Sequence, residues 1–153
     1  YDTNVKVNPP IRAKEDMEAI REGLRDGTID VIATDHAPHT EDEKKVEFDL
    51  APFGISGLET ALALALKLVE DGVLTLPEMI KKLTSTPAQI IKSTRGTLKV
   101  GAVADVVVFD PNKIITVDRE RFRSKGKNTP FHGWKLSGCV LYTIVGGKLV
   151  FSN

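Results

Sequence analysis

The sequence predicts an α/β fold built from two unlike parts, and three observations carry that prediction. Up to about Arg95 apolar residues recur at helical spacing around one short apolar run, residues 29–34. From Gly96 onward the chain changes to short β-branched runs, glycines and turn residues. The apolar run ends on Asp35-His36-Ala37-Pro38-His39, which puts a carboxylate and two imidazoles on the turn after a strand. In α/β barrels catalytic groups sit at the C-terminal ends of parallel strands, so residues 1–95 read as C-terminal strands and helices of such a barrel and 96–153 as a β-rich domain.

In the first part, Met17, Ile20 and Leu24 share a helical face, so 14–25 reads as an amphipathic helix packed through those three residues. Gly27 then turns the chain into strand 29–34. Another short strand, 5–7, delivers Asn8 to two prolines. Residues 40–49 read as a polar loop able to act as a lid. Ser56-Gly57-Leu58-Glu59 has the form of a capping box opening a helix over 58–69 that is apolar nearly all round, hence buried on more than one side. Two further boxes, Thr75-Leu76-Pro77-Glu78 and Thr86-Pro87-Ala88-Gln89, open shorter helices. In the second part, 105–111 and 114–117 read as two strands, and 140–145 with 148–151 as a hairpin closed by Gly146-Gly147.

A complete barrel needs roughly 250 residues. With 153, opening on Tyr1 without an initiator methionine, the chain reads as a half whose N-terminal partner half lies elsewhere. Its 21 basic and 21 acidic residues balance, which argues against nucleic acid or an anionic membrane as partner and for a small molecule. Cys139 is the sole cysteine, no apolar run approaches the roughly 20 residues of a membrane span, and no secretory signal opens the chain; the expected compartment is the cytoplasm.

The chemistry centres on Asp35, since a carboxylate at a strand end can ligate a divalent metal and also move a proton. Pro38 between His36 and His39 makes an extended turn in which the rings diverge, so the two need not share a job. A catalytic zinc takes about three protein ligands. Besides carboxylates the chain holds only His36, His39, His132 and Cys139, and the last two, in the β-rich tail, read as satisfied or solvent-facing; the chain cannot build a catalytic metal site alone. Asn8 has two readings, an amide that pairs with a ligand and a turn-forming asparagine before proline.

The elements Lys6-Val7-Asn8-Pro9-Pro10-Ile11-Arg12, Ile32-Ala33-Thr34-Asp35-His36-Ala37-Pro38-His39, Phe53-Gly54-Ile55-Ser56-Gly57-Leu58-Glu59-Thr60 and Ala104-Asp105-Val106 to Pro111 resemble, in order and spacing, the C-terminal part of the dihydroorotase family of the amidohydrolase superfamily. The resemblance spans essentially the whole chain. It implies the closing segment of a metal-dependent TIM-type barrel plus a small β-sandwich composite domain. It also implies one or two zinc ions and the reversible cyclisation of N-carbamoyl-L-aspartate to L-dihydroorotate in pyrimidine synthesis. By position, Asp35 is then zinc ligand and proton-transfer group, Asn8 and His39 hold substrate, Phe53 and Gly54 offer main-chain contacts, and His36 is not a ligand. The family's His-X-His pair and its remaining ligands are not in these residues. Further partners it implies are a second copy or the pathway carbamoyltransferase. Two other readings are an allantoinase- or hydantoinase-type cyclic amidohydrolase and a catalytically inactive scaffold.

Overall fold

The computed structural model describes all residues, 1–153. Helix α1 (Lys14–Asp26) ends where Gly27 takes the left-handed conformation at φ 85 that an L side chain resists. Of its predicted apolar face only Leu24 is buried; Met17 and Ile20 stay exposed, because no other part of the chain covers them. Residues 29–34 belong to no sheet, contrary to the strand expected. Their main-chain partners are helical: Ile29 N–H donates to Gly23 O at 2.7 Å and Ile32 N–H to Lys82 O at 3.1 Å. The expected strand at 5–7 is likewise unpaired and starts inside a 3-10 turn, Thr3–Val5, capped by Asp2.

The predicted polar loop contains a one-turn helix, α2 (Glu41–Lys44), held by a capping box between Thr40 and Glu43. Helix α3 (Ala61–Glu70) starts later than expected, and the Ser56/Glu59 box does not form. Its two side chains are engaged far along the chain: the Ser56 hydroxyl donates to Gly126 O at 3.0 Å, and the Glu59 carboxylate accepts from Arg123 N–H and Ser124 N–H at 2.7 and 2.9 Å. The Thr75/Glu78 box forms as predicted and opens α4 (Leu76–Leu83). Helix α5 (Ser85–Ile90) begins before Thr86, so that expected box is absent.

The sheet comprises β1 (Val106–Thr116), β2 (Lys135–Val145) and β3 (Lys148–Ser152), antiparallel in the order β1-β2-β3. The two strands expected at 105–117 are one strand, interrupted by a register irregularity between Asp110 and Ile114. The hairpin turns at Gly146-Gly147 as predicted, both residues having positive φ.

Helix α3 serves two cores. Ala65 and Leu66 pack with Leu24, Val73, Leu74 and Met79, whereas Ala63 packs with Val117 and Leu136 from the β-rich part. Met79 is fully buried, a contribution on the order of 2 kcal/mol. Gly138 lets β2 approach this helix: a Cβ there would lie 2.4 Å from Leu66 Cδ1. The accessible surface is 10418 Å², against about 7600 Å² for a compact monomer of this mass. The excess includes apolar side chains such as Leu98 and Val100, exposed at 83% and 106%. No helix is long and apolar enough to cross a membrane.

Candidate active site

The turn 35–39 is the centre of the site, and three separate stretches of chain hold it. Asp35 has φ 53, a left-handed conformation that a short polar side chain tolerates better than most. Its Oδ1 accepts from His36 N–H at 2.7 Å, and no hydrogen bond engages Oδ2. The residue is exposed. His36 faces the other way: its Nδ1 accepts from Gly57 N–H and Leu58 N–H at 3.3 and 3.4 Å, binding the turn to the segment before α3. That ring nitrogen serves as an acceptor for the chain's own backbone. Gly57 is needed for this approach, since a Cβ there would sit 2.3 Å from Asp35 O.

His39 is half-buried, with Nε2 3.0 Å from Phe53 O, so that nitrogen carries the proton. Its Nδ1 lies 3.6 Å from the Glu43 carboxylate. Hydrogen bonds from Thr40, its backbone N–H first, hold the Glu43 carboxyl below the usual range, with His39 a smaller contributor. Glu43 therefore presents a negative charge to the ring.

Gly54 joins the stretches. It has φ 116, and a Cβ on it would lie 2.3 Å from Ala37 Cβ. Its N–H donates to Lys6 O at 2.9 Å, two residues before Asn8, and its carbonyl accepts from Asn128 Nδ2 at 3.1 Å. Both main-chain groups of Gly54 are thus engaged inside the chain, whereas Phe53 N–H donates to no acceptor within it. Asn8 is exposed and precedes a cis peptide bond to Pro9.

Two buried lysines brace the wall behind. Lys6 Nζ donates to Phe48 O and Asp49 O at 2.7 and 2.9 Å and lies 4.7 Å from the centre of the Phe53 ring. Lys44 Nζ donates to Thr3 O and Pro52 O at 3.0 and 2.8 Å, and burial, then the charge of Lys6, pushes its pKa down.

Sequence reasoning missed Asn128. It lies in the β-rich part, is 5% exposed, and bonds to both the 35–39 turn and the 54–56 segment. Asn128 Oδ1 accepts from His39 N–H and from the Ser56 hydroxyl at 2.8 and 3.2 Å, while Nδ2 donates to Ala37 O and Gly54 O at 3.0 and 3.1 Å. Gly126 lets this loop close on the turn, a Cβ there meeting His39 N and O at 2.7 Å. Asn-Thr-Pro reads locally as an ordinary turn, so nothing short of the tertiary packing marks it. His132 and Cys139 stand apart from this cluster: His132 Nδ1 accepts from Arg119 N–H at 3.2 Å, and buried Cys139 Sγ accepts from Asn153 Nδ2 at 2.9 Å. No three His, Cys, Asp or Glu side chains come together to hold a metal ion.

A family model described as the amidohydrolase family matches residues 7–150. A dihydroorotase of Syntrophus aciditrophicus is 56% identical over 153 residues, all of this chain and 36% of that protein. One of Geobacter metallireducens is likewise 56% identical, over the same shares. The chain therefore spans about a third of the length of the curated relatives it matches. Among solved structures, an L-hydantoinase (dihydropyrimidinase) from Arthrobacter aurescens superposes with a TM-score of 0.88 at 34% identity, covering 96% of this chain and 34% of that one. A D-hydantoinase superposes with a TM-score of 0.89 at 24% identity, covering 99% and 34%.

Proposed function

The chain belongs to the amidohydrolase family, and from that premise we propose that it is the C-terminal part of a dihydroorotase. In this reading residues 1–95 complete a TIM-type barrel and 96–153 form its composite β-sandwich domain. The observation that carries it is the convergence on Gly54, where the Asp35–His39 turn, the Phe53 main chain and the segment leading to Asn8 are tied together by hydrogen bonds. Its support from outside the chain is the identity of 55–56% to dihydroorotases along all its residues.

Amidohydrolases are in general metal-dependent. Asp35 suits one place in such a site, being exposed, anionic and with one oxygen free, and the remaining ligands would come from the partner half. Zinc, when bound there, would polarise the ring amide carbonyl and steady the charge on its oxygen. Asp35 would accept the proton of the attacking water as the new C–O bond forms, then deliver it to the ring nitrogen as the C–N bond breaks, giving N-carbamoyl-L-aspartate; cyclisation reverses these steps. His39 would donate to the substrate carboxylate, and the Asn8 amide and Phe53 N–H would pair with its polar edge, with Gly54 fixing the Phe53 peptide. In this reading the enzyme works in the cytoplasm on a small charged substrate, assembled with its own N-terminal half and then with a second copy or a carbamoyltransferase.

A hydantoinase-type activity is the second reading, favoured by the L-hydantoinase superposition. Assaying the full-length protein with dihydroorotate, allantoin and a hydantoin separates the two. Turnover of dihydroorotate at least tenfold faster than of the others is expected; preference for a hydantoin, or inactivity toward all three with zinc bound, sinks the dihydroorotase reading.

A further inference from the structure

We infer that Asn128 is a positioning residue for catalysis, a role that rests on the dihydroorotase reading and adds to it a residue from the β-rich part. Its side-chain amide has two donor hydrogens and one carbonyl oxygen, and each is engaged within 3.2 Å. Three of those four bonds end on the main chain of the loops that carry the groups assigned to substrate: Ala37 and His39 on one, Gly54 on the other. The fourth, to the Ser56 hydroxyl, fixes the amide itself, since Ser56 N–H also donates to Asn128 O at 2.8 Å. The residue is buried, so it contacts loops and not solvent or ligand.

The geometry sets what this does. His39 is located by its backbone N–H on Asn128 and by its ring on Phe53 O, while the Phe53-Gly54 peptide is located by Gly54 O on the same amide. One planar group therefore fixes the distance between the His39 main chain and the Phe53-Gly54 peptide, and with it the place of the His39 donor, which the substrate carboxylate would take over from Phe53 O. A buried amide holds such a distance well, because losing either half leaves a buried partner without a hydrogen bond. Asp35, by contrast, bonds within its own turn, lies close against Gly57 and receives nothing directly from Asn128. Loss of the amide should therefore be felt in substrate binding before metal binding.

The test uses the full-length protein and the variants Asn128→Ala, Asn128→Asp and Ser56→Ala, measuring KM and kcat for dihydroorotate together with bound zinc per chain. Asn128→Ala should raise KM by about tenfold or more, the scale of a misplaced binding group, with zinc retained. Asn128→Asp keeps the oxygen that accepts from His39 and loses both donors, so its KM should fall between wild type and the alanine variant. Ser56→Ala, which removes one support of the amide and leaves the three bonds to Ala37, His39 and Gly54, should raise KM less than Asn128→Ala does. A KM within twofold in both Asn128 variants, or zinc lost in step with kcat at constant KM, overturns the role. Should the alanine variant not fold, the near-isosteric aspartate decides on the same criteria. If the wild type turns over a hydantoin and not dihydroorotate, the substrate reading has failed, and the same comparison run with the hydantoin still decides the role of Asn128.

Discussion

His39 turns Nε2 onto the main-chain carbonyl of Phe53 at 3.0 Å, so two residues assigned to one substrate are hydrogen-bonded to each other. A carboxylate that takes the Nε2 proton must displace that carbonyl. His39→Ala should therefore raise KM by about ten- to a hundredfold, as for loss of a charge-assisted or well-oriented donor, while zinc content stays near wild type. Asn8→Ala should share this pattern in weaker form. Parallel loss of zinc and activity, followed by metal analysis of the purified variants, would show instead that these residues support the metal site.

Asp35→Asn isolates the charge. At φ 53 asparagine is as well tolerated as aspartate, and its amide oxygen can keep the bond from His36 N–H. The fold should persist, with a melting temperature within a few degrees, while kcat falls by about a thousandfold for want of a proton carrier. Near-normal turnover in a steady-state assay would remove Asp35 from the mechanism.

Gly57→Ala tests the close approach at the turn. The new Cβ would meet Asp35 O at 2.3 Å, a backbone atom that cannot swing aside. Destabilisation of about 1–3 kcal/mol is expected, as for overpacking. Because the displaced peptide carries Asp35, zinc affinity should drop as well, and competition with a chelator reads this directly.

The capping carboxylates set an acid limit on local structure. Hydrogen bonds from Thr75, the hydroxyl first, hold Glu78 below its ordinary value of 4.5. A depressed carboxyl contributes stability that is present above the unfolded value and lost as pH falls through the folded one. Glu78→Gln should therefore flatten the pH dependence of stability below 4.5, which chemical denaturation at stepped pH can measure; an unchanged profile would mean that the cap makes no contribution.

Residues 1–153 produced alone should self-associate, because their surface exceeds that of a compact monomer and includes Ile90, Ile91, Leu98 and Val100. Light scattering that finds a stable monomer would contradict this.

How much was legible follows from where each signal has its partner. Thr75 and Glu78 satisfy each other across one turn, so the pattern sufficed. Ser56 and Glu59 carry the same letters, yet Gly126, Asn128, Arg123 and Ser124 claim their polar atoms, and no local window contains those competitors. The Thr40/Glu43 box is just as local, but the charged residues around it give it the composition of a loop. Residues 29–34 show a strand's composition without a ladder, since pairing is a property of neighbours. Asp35, His36 and His39 announced themselves by chemistry and proximity, whereas Asn128 has neither and is known only by what it touches.

The two clamps on the 35–39 turn differ in the length of chain they close. His36 meets Gly57 across 21 positions, and His39 meets Asn128 across 89. Loop-closure entropy makes the second contact costlier by about 1.3 kcal/mol before any packing is counted. On a ribosome the order is stricter still, since synthesis runs at about 5–20 residues per second and Asn128 is made well after the turn it completes. The His36 clasp can form on the nascent chain, whereas the Asn128 clamp on His39 and Gly54 waits until the β-rich part arrives.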